Sequence, residues 1–167
     1  MSAEISYSWR QSNEGLTMIV GIHHVAIGVS DLDAAVTFYT EAFGMQVVQR
    51  SEFDRRSNID QAIGLKDAKA KMAMLDTSNA FIELWEYQNP EPRDLRSLPS
   101  DLGYPHFAWQ VDDIQDEYDR LASLGMTFVG EVVHFGEATS AIYGRDPFGN
   151  VIELYEIKID AMAQLKR

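Results

Sequence analysis

The chain has no cysteine among its 167 residues. Disulfides, thiolate metal sites and cysteine nucleophiles are therefore excluded. Positive charge is scarce as well: 14 Lys and Arg stand against 26 Asp and Glu, a formal net charge of −12. Nucleic acids and anionic membranes bind to basic faces, so neither is an expected partner. No apolar run approaches the ~20 residues of a membrane-spanning helix. The first residues, which carry Glu4 and Glu14, lack the basic-then-apolar order of a secretory signal. A cytoplasmic location is the default expectation. Proline is sparse too, at 5 residues, and Pro90, Pro92 and Pro99 fall in one stretch. A hydrophobic content of 46% and a charged content of 24% are ordinary for a soluble globular protein. The length suits one well-buried domain or two small fused modules.

What the chain does have is an internal echo. Phe81-Ile82-Glu83-Leu84-Trp85-Glu86 returns as Val151-Ile152-Glu153-Leu154-Tyr155-Glu156, and His24-Val25-Ala26 returns as His106-Phe107-Ala108. Each copy opens with a His-bearing strand and closes with a Glu-bearing strand. A duplicated fold that supplies one imidazole and one carboxylate per copy can gather two of each at one point, which describes a metal site with a potential base beside it.

Residues 1–18 read as a flexible arm. Ile19–Val29 is apolar and β-branched and reads as a strand. Ser30 or Asp31 then caps a helix to about Phe43, which Gly44 ends. Strands are expected at Met45–Phe53, Ala70–Asp76 and Ala80–Tyr87, with a short helix at Ser57–Gly64 and a Ser78-Asn79 turn. This makes residues 19–88 a first module and the proline-containing 89–103 a linker. The second module, 104–157, repeats the order: strand Tyr104–Val111, helix Asp113–Leu124, then strands Met126–Val129, Ser140–Gly144 and Val151–Ile157. Residues 158–167 read as a tail with a short helix. The fold class is therefore α+β, with tandem βαββ(β) modules and mostly antiparallel sheets. One helix covers one face of each sheet, and a second module or a partner chain must close the other.

Strand alternation sorts the candidates. Phe81, Glu83, Trp85 and Tyr87 share one face, and Val151, Glu153, Tyr155 and Ile157 share its equivalent. His24 aligns with His106, and its face-mates Ala26 and Gly28 leave room for an ion and a ligand. The metal candidates are His24, Glu83, His106 and Glu153, with Glu153 or Glu83 as base. Trp85 and Tyr87 read as pocket wall. Gln110, Tyr143 and Arg145 join them as candidate substrate contacts, with Arg55 and Arg56 as rim cations. His23 and His134 have no counterpart in the other copy and read as structural. Glu86 and Glu156 recur, but their parity turns them away from the site.

These elements resemble the vicinal oxygen chelate superfamily, the group of glyoxalases, bleomycin-resistance proteins and extradiol dioxygenases. The resemblance rests on Ile22–Ile27, Phe81–Leu84, His106–Asp113 and Asp146–Leu154, and spans residues 20–157. It implies paired modules around a divalent ion at His24, Glu83, His106 and Glu153, a ligand pattern similar to the glyoxalase I and methylmalonyl-CoA epimerase branch. The ion would be Ni, Co, Zn, Mn, Mg or Fe. Positions that bacterial glyoxalase I commonly gives to a glutathione-binding Arg and Asn hold Gly28 and Tyr87 here, while the epimerase branch often has Gln where this chain has Glu83.

The expected activity is a metal-dependent lyase, isomerase or epimerase that removes a proton beside a polarised carbonyl through an enediolate. The alternatives are an Fe(II) or Mn(II) ring-cleaving dioxygenase-like enzyme and a non-catalytic binder of small molecules. A homodimer is expected, because each module leaves an open sheet face and edge strands.

Overall fold

The computed structural model of the chain describes residues 21–94, 96 and 98–165. The expected N-terminal arm and the end of the tail lie outside these residues. The order is β1 (His24–Gly28), α1 (Leu32–Phe43), β2 (Gln46–Asp54), α2 (Ser57–Ile63), β3 (Lys69–Asp76), β4 (Phe81–Asn89), β5 (Phe107–Val111), α3 (Ile114–Ser123), β6 (Thr127–Phe128), β7 (Val133–Phe135), β8 (Thr139–Arg145) and β9 (Val151–Ile157).

The strands form two sheets of matching topology, β1-β4-β3-β2 and β5-β9-β8-β6, with β7 added alongside β8. In each, the first strand (β1 or β5) runs parallel to the Glu-bearing strand (β4 or β9), and the remaining pairs are antiparallel. The fold is thus α+β with two mixed sheets.

The helices begin where short acceptors stand ready. Asp31 accepts from the Ala34 amide at the start of α1, and Asp113 accepts from the Gln115 and Asp116 amides at the start of α3. Each offsets amide groups that the first helical turn leaves without partners. Glu86 adds to the first cap by accepting from Leu32 N at 2.8 Å, with Lys71 Nζ 3.6 Å away. Its recurrence is therefore structural, as its parity implies. Glu156, also on the helix side, is buried with Lys158 Nζ at 3.0 Å.

The two modules share one core, built through their helix-bearing layers. It joins Ile27, Ala35, Tyr39, Leu75 and Leu84 to Leu121, Met126, Ile152 and Leu154. Phe43 at the end of α1 stacks on Trp109 of β5, with centroids 5.0 Å apart. The Tyr39 hydroxyl, fully buried, donates to Asp146 Oδ2 at 2.8 Å. Asp146 also accepts from Phe148 N, Asn150 N and Asn150 Nδ2, so the Asp146–Asn150 turn before β9 is anchored to the first module. Between β4 and β5, Arg96 is held by Asp94 and donates to Phe148 O at 3.0 Å.

Some expectations need correction. β1 is shorter than expected within the described residues. His106 precedes β5 rather than lying in it, since the strand starts at Phe107. Residues 158–165 form no helix, only a turn near Asp160. The Leu165 amide instead donates to Gln110 Oε1 at 2.7 Å.

Candidate metal centre

The parallel pairing of β1 with β4 places Ala26 beside Glu83, and that of β5 with β9 places Ala108 beside Glu153. The alanines leave space, and the histidine two residues earlier leans diagonally across it. His24 Nε2 comes within 3.5 Å of Glu83 Oε2, and His106 Nε2 within 3.2 Å of Glu153 Oε2. The side chains are partly open: 39% and 29% exposed for the imidazoles, 13% and 15% for the carboxylates.

Those spacings bear on a bound ion. Two ligand atoms at right angles about an octahedral ion, with bonds of about 2.1 Å, lie about 3 Å apart. Imidazole nitrogen and carboxylate oxygen suit divalent first-row metals, so each pair fits two of the six positions of an octahedral ion. Among the described residues, however, no group of three or more metal-ligating side chains converges. The chain does not bring His24 and Glu83 together with His106 and Glu153. The reason lies in the packing: the shared core joins the helix-bearing layers, whereas the ligand residues stand on the opposite faces of the sheets.

The surroundings of the two pairs differ. Glu83 Oε2 accepts from the indole Nε1 of Trp85 at 2.7 Å. Trp85 stacks with Phe53 (5.6 Å, 21°) and with Tyr87 (5.3 Å, 14°), and the Arg56 guanidinium carbon lies 6.0 Å from the Phe53 ring centre. Burial raises the Tyr87 hydroxyl above its ordinary pKa, and the Glu83 charge adds to that. Beyond this aromatic row lies a cleft of about 580 Å³ lined in part by Phe53, Arg56, Lys69 and Gln88.

On the other sheet, Tyr143 sits directly across from Glu153. Its ring meets His106 edge-on at 4.8 Å, with its hydroxyl 3.4 Å from Nε2. Burial raises its pKa, and the Glu153 charge and a hydrogen bond to that carboxylate raise it further. The phenol therefore keeps its proton through neutral pH.

The remaining candidates divide. Arg145 shares a strand face with Tyr143 but donates to Gly149 O at 2.6 Å, closing the turn. Gln110 receives the tail amide. Arg55 lies 3.9 Å from Asp54. His134 bonds Ser140 Oγ at 2.9 Å, on the helix-side face and away from Glu153. His23 is the residue that sequence reasoning undervalued. Its Nδ1 is 2.9 Å from His24 Nδ1 and its ring packs 4.9 Å from Phe81, so it braces the His24 ring with Nε2 left toward Glu83. Alternation sends neighbours apart only inside a strand, and His23 precedes β1. The adjacent His-His pair was the available signal.

Two sheets of matching topology, each with a His–Glu pair on the face away from its helix, define a fold built by duplication. The chain belongs to the Glyoxalase/Bleomycin resistance protein/Dioxygenase superfamily, whose sequence profile matches residues 21–154. It is 32% identical to a 2-epi-5-epi-valiolone epimerase from Actinomyces sp. over 90% of this chain and 86% of that one. It is 29% identical to a probable lactoylglutathione lyase from Vibrio parahaemolyticus over 82% and 91%, respectively. A glyoxalase family protein from Bacillus cereus superposes with a TM-score of 0.78 at 28% identity, covering 87% of this chain and 99% of that one. The resemblance read from the motifs is thereby borne out. The relatives' names span epimerase and lyase.

Proposed function

We propose that the protein is a divalent-metal-dependent enzyme of the isomerase, epimerase or lyase type that removes a proton from the carbon beside a carbonyl. The observation that carries this reading is the repeated His–Glu pair, at 3.5 Å and 3.2 Å, at equivalent points of both sheets. His24, Glu83, His106 and Glu153 would hold the ion. When bound, it supplies a Lewis acid for the carbonyl oxygen and for the charge left by proton loss. Glu153 accepts the proton, and the carboxylate must come within hydrogen-bond reach of the acidic carbon to do so. Tyr143, protonated at neutral pH, faces that carboxylate.

The two pairs do not meet within one chain, so the complete site is formed by a homodimer in which His24 and Glu83 of one copy face His106 and Glu153 of the other. The substrate is a small molecule. The Actinomyces relative directs the first trial to valiolone-type ketones, with hemithioacetals and acyl-CoA thioesters next. The test is deuterium exchange at the carbon beside the carbonyl, with protein loaded in turn with Ni, Co, Zn, Mn, Mg and Fe(II). Exchange that needs both metal and Glu153 supports the reading. No exchange with any of these metals and substrates contradicts it.

A further inference from the structure

We propose that Trp85 is a positioning residue, whose indole N–H fixes the Glu83 carboxylate against His24 so that Glu83 serves as the immobile ligand while Glu153 is left to move the proton. This rests on the metal-dependent reading of the site. Glu83 Oε2, the oxygen 3.5 Å from His24 Nε2, is also the oxygen that takes the 2.7 Å bond from Trp85 Nε1. An indole N–H donates and never accepts, and it does not titrate in the physiological range. It therefore holds the carboxylate without competing for its proton.

The indole is itself immobilised. Phe53 and Tyr87 both stack against it, with ring centres 5.6 Å and 5.3 Å away. Rotation of the ring would break both stacks. Its N–H edge is spent on Glu83.

The second module lacks this arrangement. The residue matching Trp85 is Tyr155, and Glu153 meets its hydroxyl donor, Tyr143, from the neighbouring strand. The position that matches Tyr143, directly across from Glu83, is Met74, which has no hydroxyl. A phenol 3.4 Å from His106 can turn between imidazole and carboxylate; a stacked indole cannot turn. The repeat is symmetric in its ligands and asymmetric in what holds them.

The test compares Trp85→Phe, which keeps a stackable ring but removes the N–H, with Phe53→Leu, which disturbs the stack and leaves the N–H. Mn(II) and Ni(II) binding is measured by calorimetry, and the Trp85 indole ¹⁵N–¹H resonance is followed in metal-free wild type and Glu83→Gln, assigned by its loss in Trp85→Phe. Removal of a group that orients a metal ligand weakens binding by about 10- to 100-fold. The expected result is a loss of about that size in Trp85→Phe, a clearly smaller loss in Phe53→Leu, where the Tyr87 stack and the N–H remain, and an indole resonance displaced by Glu83→Gln. Wild-type affinity in Trp85→Phe, or an equal loss in Phe53→Leu, overturns the assignment. An indole resonance unmoved by Glu83→Gln overturns the contact itself. Failure of the wild type to bind any divalent ion overturns the metal reading instead, which the indole resonance does not depend on.

Discussion

At the scale of single residues, the two glutamates carry different consequences. Glu153→Gln is expected to abolish proton exchange while retaining more metal than His24→Ala, because an amide oxygen coordinates weakly but its group cannot take a proton. Metal content after desalting, measured beside the exchange rate, checks this. Equal and complete metal loss in both variants would make Glu153 a ligand only. A second residue matters for folding rather than chemistry. Tyr39→Phe removes the buried hydroxyl that donates to Asp146. Hydrogen bonds to charged groups are worth about 1.5–3 kcal/mol, and Asp146 keeps its Asn150 and Phe148 donors. A loss near the lower end of that range is expected in urea denaturation. The four ligand-type residues were legible in the sequence because the echo aligned them twice. Trp85's bond to Glu83 was not, because alternation gives a shared face and not a donor's direction.

At the scale of elements, the helices were the most legible, since caps are local chemistry. Asp31, one of the two caps the sequence offers, stands at the N-cap of α1, and Asp113, expected as the first helical residue, is instead the N-cap of α3. Asp113→Ala leaves two amides without their acceptor and is expected to cost about 1 kcal/mol of stability, read from the urea midpoint. β9 matches its expected span, Val151–Ile157. β7 was missed: Val133–Phe135 is too short for alternation to mark it, and its pairing with β8 depends on tertiary context. The helix expected in the tail failed for the related reason that its contact, Leu165 with Gln110, is non-local. Gly144 shows how tightly one strand pairing is packed. A Cβ there would lie 2.7 Å from Phe128 Cδ1 and 2.9 Å from Thr127 O. Gly144→Ala should therefore force β6 away from β8 and cost about 1–3 kcal/mol.

At the scale of the whole molecule, duplication settles the fold but not where the site closes. Sequence repeats report equivalence between modules. They do not report which faces meet, and here the helix-bearing layers meet while the His–Glu pairs stand on the faces turned away. A metal bound across two copies ties stability to both ion and partner. Stabilisation grows as RT ln(1 + [L]/Kd), about 2.7 kcal/mol at a hundredfold excess over Kd. Chelation should lower the melting temperature, and Ni or Co should restore it. The most direct test of a shared site is complementation. His24→Ala/Glu83→Ala disables the first-module half, and His106→Ala/Glu153→Ala disables the second. Either variant alone forms dimers in which every site lacks one half. Co-expressed, they form mixed dimers with one intact site and one lacking both halves. Random pairing then restores tight metal binding to about a quarter of wild-type sites. The account predicts that recovery, together with metal-dependent proton exchange. No recovery in verified mixed dimers would contradict it.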